Sequence, residues 1–241
     1  MRTLVISDVH SNADALKAVI ADAGSFERVW CLGDVVGYGP DPNECIQILK
    51  DLPEMVCILG NHDAAVMGFI ELEAFNHEAS AAIRIQERLL NQESREFLEL
   101  LDVLRIEDGI TLAHGSPRNP IWEYVMNART AKENFLAFDS QVCLIGHSHI
   151  PVIFIDGNSG QPGILLPSSG DMWRSEKRFL LNPGSVGQPR DRDPRASYVI
   201  WDDDEQIWSY HRVSYDFRPV QERILALGIP SRHAYRLAEG V

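Results

Sequence analysis

No stretch of the 241 residues approaches the roughly 20 apolar side chains that cross a bilayer. The amino terminus runs straight into a strand-like segment, without the charged, apolar and small-residue plan of a leader. The chain is therefore expected to be soluble and cytoplasmic, with no membrane partner. Cysteine is sparse: Cys31, Cys45, Cys57 and Cys143 form no CxxC pair, and three of them lie inside apolar runs. Buried free thiols are expected there, rather than disulfides or a thiolate zinc site. Positive charge is short too, with 22 Lys and Arg against 35 Asp and Glu, a net charge of −13 and a pI near 5.0. That balance repels nucleic-acid backbone and anionic lipid. No internal repeat, low-complexity segment or linker interrupts the chain. With 45% apolar residues it reads as one domain over 1–241.

What the sequence does contain is a repeated local plan, an apolar run that ends abruptly in small and polar residues. Thr3 to Ser7 leads into Asp8-Val9-His10, and Arg28 to Leu32 into Gly33-Asp34. Met55 to Leu59 leads into Gly60-Asn61-His62-Asp63, Ile110 to Ala113 into His114-Gly115, and Gln141 to Ile145 into Gly146-His147-Ser148-His149. Helices are predicted from Asn12 to Ala23, with Asn12 as cap and Gly24 as stop, and after Asp41, with Pro42 in the first turn, to about Lys50. Strand, helix, strand, helix, strand at this pace indicates right-handed parallel crossovers. Between about 71 and 101 the apolar residues take helical spacing, which predicts a helical insert of two helices broken near Asn91 to Ser94. A further helix is predicted from about Thr130 to Phe138.

Beyond residue 150 short alternating runs predict strands at Pro151 to Asp156, Gly163 to Leu166, Lys177 to Leu181, Ser197 to Trp201 and Gln206 to Arg212. They are expected to pair antiparallel in a second sheet. A final helix is predicted after Asp216, with Ile224, Leu225 and Leu227 on one face and Gly228 at its end.

The strand ends collect Asp8, His10, Asp34, Asn61, His62, His114, His147 and His149. A strand sends residues i and i+2 to the same side, so Asp8 with His10, and His147 with His149, are expected to converge. A single histidine at a strand end is more often a hydrogen-bonded structural residue, but here five of the chain's eight histidines stand at strand exits. Imidazole, carboxylate and amide donors without thiolate suit an open site for zinc, iron, manganese or nickel. Seven ligands are too many for one ion with an open position. Two divalent transition-metal ions bridged by a carboxylate fit the set, and Asp34 is placed by order to bridge.

These blocks resemble the signature blocks of the calcineurin-like metallophosphoesterase superfamily, five of them in the right order over the whole chain. The Gly37-Tyr38-Gly39-Pro40 loop and the segment from Asn182 to Arg190 are similar to its small prokaryotic branch, often described as phosphodiesterases or as like diadenosine tetraphosphatases. One departure is Ser148, where threonine is frequent. The resemblance implies an α/β fold, a four-layer α/β/β/α sandwich of two mixed sheets flanked by helices. It also implies one metal on Asp8, His10, Asp34 and His149, the other on Asp34, Asn61, His114 and His147, with His62 as the catalytic non-ligand. The implied activity is hydrolysis of a phosphodiester or phosphomonoester of a small molecule or nucleotide by metal-activated water.

Around that centre, Asp63 is expected either to orient the His62 ring or to cap the next helix. Arg190 is expected to reach the substrate phosphate or to pair with Asp191 or Asp193. Tyr38, Trp122 and Tyr124 are weighed as stacking walls for a nucleobase against ordinary packing, and His77, His211 and His233 as solvated or structural. Two rival functions share the blocks. A protein serine/threonine phosphatase would carry an arginine soon after the second block, where this chain has Val35-Val36-Gly37-Tyr38. A non-catalytic metal-binding scaffold, as in the retromer subunit of this fold family, would be expected to lose His62, which is present.

Overall fold

A computed structural model describes residues 1–157 and 160–241. In chain order its elements are β1 (Arg2–Ile6), α1 (Ala13–Ala23), β2 (Arg28–Cys31), α2 (Pro42–Lys50), β3 (Met55–Cys57) and α3 (Asn61–Val66). A 3-10 turn (Leu72–Ala74) then precedes α4 (His77–Leu89), α5 (Gln92–Glu99), β4 (Leu104–Glu107), β5 (Ile110–Ala113), α6 (Ala128–Asn134) and β6 (Val142–Leu144). The remainder is β7 (Val152–Ile155), β8 (Gly163–Leu165), β9 (Met172–Trp173), β10 (Phe179–Asn182), β11 (Ala196–Asp202), β12 (Ile207–Val213), α7 (Arg218–Ala226) and α8 (Arg232–Glu239). No described helix is long and apolar enough to cross a membrane.

The strands form two six-stranded mixed sheets, ordered β3-β2-β1-β11-β12-β9 and β4-β5-β6-β10-β7-β8. Because both faces of each sheet are covered, the central strands are apolar at successive positions and sort by pleat. In β1, Leu4 and Ile6 face a cluster with Leu16, Val19, Ile46, Leu49, Ile83 and Leu98 from the helices, while Val5 points the other way. Val5 meets Trp30, Leu112, Leu144, Phe179, Leu181 and Trp208 in the core between the sheets. On the far side, Ala131 and Phe135 pack over Cys143, Phe154 and Leu180. The result is the expected α/β/β/α sandwich.

Local signals placed most elements. Asn12 caps α1 by accepting from Ala15 N at 3.1 Å, and Asn91 caps α5 in the same way, at the predicted break in the helical insert. All four cysteines are buried and free. Several expectations need correction. The strands beyond residue 150 do not make a sheet of their own: β11 and β12 extend the first sheet through β1, while β10 pairs parallel with β6 in the second. Strand β4 went unpredicted because its pattern is polar and half-exposed, with Arg105 and Glu107 among four residues; it pairs with β5 across an Asp108-Gly109 turn in left-handed conformation. In α7 only Val220 and Ile224 are buried, and Leu225 and Leu227 face solvent. Helix α8 was missed altogether.

Candidate metal and phosphate-ester site

Strands β1, β2 and β3 run parallel, as do β5 and β6, so their carboxyl ends share one edge of the sandwich. The connecting loops are stitched together there. Asp8 N donates to Gly33 O at 3.0 Å, His10 N to Asp34 O at 2.9 Å and Gly146 N to His114 O at 2.7 Å. Ser185 Oγ donates to Asp8 O at 2.8 Å, and Asn182 Nδ2 to Gly146 O at 2.6 Å, so the Asn182 to Gly187 segment supports the site from below.

Convergence is achieved differently from the expected strand alternation. Strands β1 and β6 end at Ile6 and Leu144, before the polar blocks begin. Asp8, His10, Asp34, His147 and His149 all adopt left-handed backbone, with φ of 53°, 48°, 52°, 64° and 60°. Such conformations cost free energy in non-glycine residues and persist where the surroundings over-determine them. Consequently His147 and His149 do not point at one place. His149 joins Asp8 and His10, whereas His147 joins Asp34 and His114, and a third grouping links His10, Asp34 and His62.

All eight of these side chains, Asn61 included, are at most 3% exposed. Their hydrogen bonds fix where lone pairs lie. Nδ1 of His10, His114 and His149 lies 3.2, 2.8 and 2.5 Å from the carbonyl oxygens of Val36, Leu32 and Gln188, so each Nδ1 carries the proton. In the neutral rings the Nε2 atoms are then acceptors that face other acceptors. His10 Nε2 lies 3.1 Å from His149 Nε2, and His114 Nε2 lies 3.0 Å from Asn61 Oδ1 and 3.2 Å from His147 Nδ1. Asp34 Oδ2 stands between the two groups, 3.6 Å from His10 Nε2 and 3.4 Å from His114 Nε2. Among the described residues, Asp8 Oδ1 and His147 Nε2 have no hydrogen-bond partner. Buried lone pairs that converge without a donor are what a cation satisfies, so the residues present fit metal ions.

Titration follows the same geometry. Burial pushes His10, His147 and His149 well below the usual imidazole range, leaving them neutral. Burial also lowers His62 to about 4, against the pull of Asp34. Asp8 is raised to about 7 by burial, with His114 opposing and Asp34 adding. For Asp34 burial acts upward, but His114, His62 and His10 outweigh it and hold the carboxyl well below its ordinary value. For His114 burial acts downward and the neighbouring Asp34 prevails, raising it to about 9.

Asp63 does not touch the His62 ring. Its carboxylate accepts from Gly60 N at 3.1 Å, Val35 N at 3.2 Å and Val36 N at 2.9 Å, capping α3 and tying the second block to the third, while His62 Nδ1 has no partner among the described residues. Gly60 is required for space rather than for its dihedrals. Its φ is −92°, and a Cβ there would collide with the Asp34 carboxylate and backbone nitrogen. Gly60→Ala is expected to displace α3 from Asp34, lowering thermal stability by about 1–3 kcal/mol, as overpacking does, and costing metal content in the purified protein. Calorimetry and elemental analysis check both.

Above the ligands lies a cavity of about 210 Å³ lined by Asp34, Asn61, His62, Tyr38, Arg190 and aromatic side chains. Arg190 faces this cavity, held by Gln188 Oε1 at 3.1 Å. Its expected ion-pair partners are engaged elsewhere, Asp191 with Arg212 and Asp193 with Arg195. Tyr38 packs against His10, His62 and His233 with ring centroids 4.6, 4.4 and 4.4 Å away, so it offers no free face for stacking. Tyr124 stacks on His147 at 3.8 Å. His233 is thus buried, while His211 packs on Tyr198 away from the site and His77 is exposed.

Two contributors escaped sequence reasoning. Phe75, treated only as part of the helical insert, reaches the cavity. Gln86 of α4 accepts from Ser11 Oγ at 2.7 Å and donates to Gly39 O, fixing the glycine-rich loop. Its signal was a polar residue on the stripe Ala79, Ala82, Ile83.

A buried imidazole and carboxylate cluster at the shared carboxyl edge of two sheets is the arrangement of a metal-dependent hydrolase. Residues 1–206 match the calcineurin-like phosphoesterase superfamily domain, and the chain belongs to that superfamily of phosphate-ester hydrolases. A crystal structure of a metallophosphoesterase from Sphaerobacter thermophilus is 42% identical, covers 100% of this chain and 99% of its own, and superposes with a TM-score of 0.92. An uncharacterized protein of Methanocaldococcus jannaschii is 36% identical over 98% of this chain and 97% of its own length. A symmetrical bis(5'-nucleosyl)-tetraphosphatase of Pseudomonas fluorescens is 29% identical over 42% of this chain and 32% of its own.

Proposed function

We propose that the chain is a dinuclear metal-dependent phosphoesterase that hydrolyses a phosphodiester or phosphomonoester of a small molecule, with a nucleotide the favoured class. The observation that carries this is the pair of buried ligand clusters, Asp8-His10-His149 and Asp34-His114-His147, with Asp34 Oδ2 within 3.6 Å of His10 Nε2 and 3.4 Å of His114 Nε2. Asp8, His10, Asp34 and His149 would hold one divalent ion, and Asp34, Asn61, His114 and His147 the other. When bound, such a pair supplies an acidified water and a positive seat for phosphoryl oxygens. The chain's own residues do the rest. The His62 backbone N–H donates to Asp34 Oδ1 at 2.8 Å, which locks the third block onto the Asp34 carboxylate. The His62 ring, neutral because burial lowers it to about 4, donates a hydrogen bond to the departing oxygen. Arg190 grips phosphate oxygens with its planar fork. The sequence similarity to a tetraphosphatase of dinucleosides supports a nucleotide.

The test is metal-reconstituted protein assayed on phosphomonoesters, cyclic nucleotides, dinucleoside polyphosphates, phosphodiesters and phosphopeptides, with metal content measured alongside. About two ions per chain and turnover of a small ester are expected. Preference for phosphopeptides over nucleotides would reverse the assignment toward a protein phosphatase, and no turnover with both ions bound would indicate a scaffold.

Acid should strip the site. Asp8 is raised to about 7 and His114 to about 9, so each contributes stability to the metal-free chain below its unfolded value and loses it as pH rises through the folded one. A cation competes with both protons. The lowered histidines oppose this trend in the metal-free chain, but they hold no proton for a cation to displace, so the gain in Tm on adding manganese or zinc is expected to be larger at pH 8 than at pH 6. Scanning calorimetry with and without chelator reads both slopes, and equal gains at the two pH values would contradict the titration.

A further inference from the structure

We propose that Phe75 and Trp122 form a subsite for a flat aromatic ring on the departing group of the ester, so that the substrate is a nucleoside phosphate seated with its base against this wall. The proposal rests on the reading above, in which His62 attends the leaving oxygen. The wall begins at that residue: the Phe75 ring meets His62 edge-on at 5.1 Å, and Trp122 leans on Phe75 at 4.8 Å. Both rings line the cavity above the ligand clusters, and both are only partly buried. Trp122 belongs to none of the four buried apolar clusters among the described residues. An indole at the rim of a polar site, outside the core, has surface left for a ligand.

Each ring is also set before any ligand arrives. Phe75 closes the 3-10 turn, its N–H donating to Leu72 O at 3.0 Å, next to Asn76, which caps α4 by accepting from Ala79 N. The loop carrying Trp122 is fastened through Glu123, whose Oε2 accepts from Ser116 Oγ and Asn134 Nδ2, both at 2.7 Å, and whose carboxylate pairs with Arg118. Trp122 N donates to Asn119 Oδ1 at 3.3 Å. Preorganised rings spare the ligand the entropy of ordering them. The cavity, about 210 Å³, lies below the roughly 300–1,000 Å³ of sites for drug-sized ligands. It seats one ring and its sugar rather than both halves of a dinucleoside.

The experiment compares adenosine 5'-monophosphate with ribose 5-phosphate, and their methyl diesters with each other, on manganese-loaded protein. Each pair shares its phosphate and the primary 5'-oxygen that departs, and differs at the base. Stacking of a base on an aromatic ring corresponds to a preference on the order of tenfold to a hundredfold in kcat/KM. That preference is expected in the better-turned-over pair, is expected to fall to near one in the Phe75→Ala/Trp122→Ala double variant, and is expected to survive in Trp122→Phe, which keeps a flat ring. A wild-type ratio near one, with vigorous hydrolysis of bis(p-nitrophenyl) phosphate, would overturn the subsite and leave the phosphoesterase reading standing. Equal loss on both members of the pair in the double variant would make the wall structural and overturn it too. Absence of metal-dependent hydrolysis of both p-nitrophenyl phosphate and bis(p-nitrophenyl) phosphate would remove both readings.

Discussion

Asp34→Asn is expected to lower kcat/KM by at least about a thousandfold, the equivalent of roughly 4 kcal/mol of transition-state stabilisation, and to reduce bound metal to less than one ion per chain. The side chain keeps its shape in this variant, so the effect isolates charge. Asp34 Oδ2 lies between the His10 and His114 rings, 3.6 Å from His10 Nε2 and 3.4 Å from His114 Nε2, and Oδ1 is already committed to the His62 N–H at 2.8 Å. An amide has one oxygen for these two tasks and no charge to place between two cations. The same substitution removes the group that holds the His114 proton, so the acid dependence of metal binding should weaken. Asp34→Asn protein that retained two ions and activity within tenfold of the parent would refute the bridging role.

His62→Gln separates metal binding from catalysis. His62 is proposed to touch the departing oxygen and no metal, so the variant should keep its full metal content while kcat falls by about a hundredfold to ten-thousandfold, the usual contribution of a positioned proton donor. The size of the fall should depend on the ester. An alkoxide leaving group needs help that p-nitrophenolate scarcely needs, so the loss should be larger on alkyl phosphates than on p-nitrophenyl esters. Unchanged turnover of both, or loss of an ion with the ring, would reassign the residue, the latter to the third ligand grouping with His10 and Asp34.

The five polar blocks were legible because each follows an apolar run whose burial is readable from composition alone. The two sheets were legible only in kind. Which sheet β10, β11 and β12 join depends on pairings with β6 and β1 that lie far away in sequence, and short alternating strands look alike whatever their partners. The site divides in the same way. Its ligand types, and Asp34 as the candidate to bridge, were read from residue order. Strand alternation led to the expectation that His147 and His149 would converge, yet left-handed backbone at both sends them to different clusters, and no local pattern in the sequence marks which residues leave the strand conformation. Asp63 kept two readings in the sequence because a carboxylate three residues after Gly60 suits a cap as well as a histidine partner. The Gly60 N–H makes it the cap, and the Val35 and Val36 N–H groups take up the rest of the carboxylate.

By itself, the sequence determined the chemistry: imidazoles, carboxylates and an amide without thiolate, each following an apolar run, give a donor set suited to divalent ions and the ordered blocks of a superfamily. Tertiary structure decided who meets whom. It set the bare lone pairs opposite one another, aimed Arg190 into the cavity, enclosed Tyr38 among imidazoles, and brought Phe75 beside Trp122 from segments nearly fifty residues apart in sequence. The division has a physical cause. Donor chemistry belongs to single residues and survives in a linear string, whereas convergence is a property of long-range packing that local spacing does not encode.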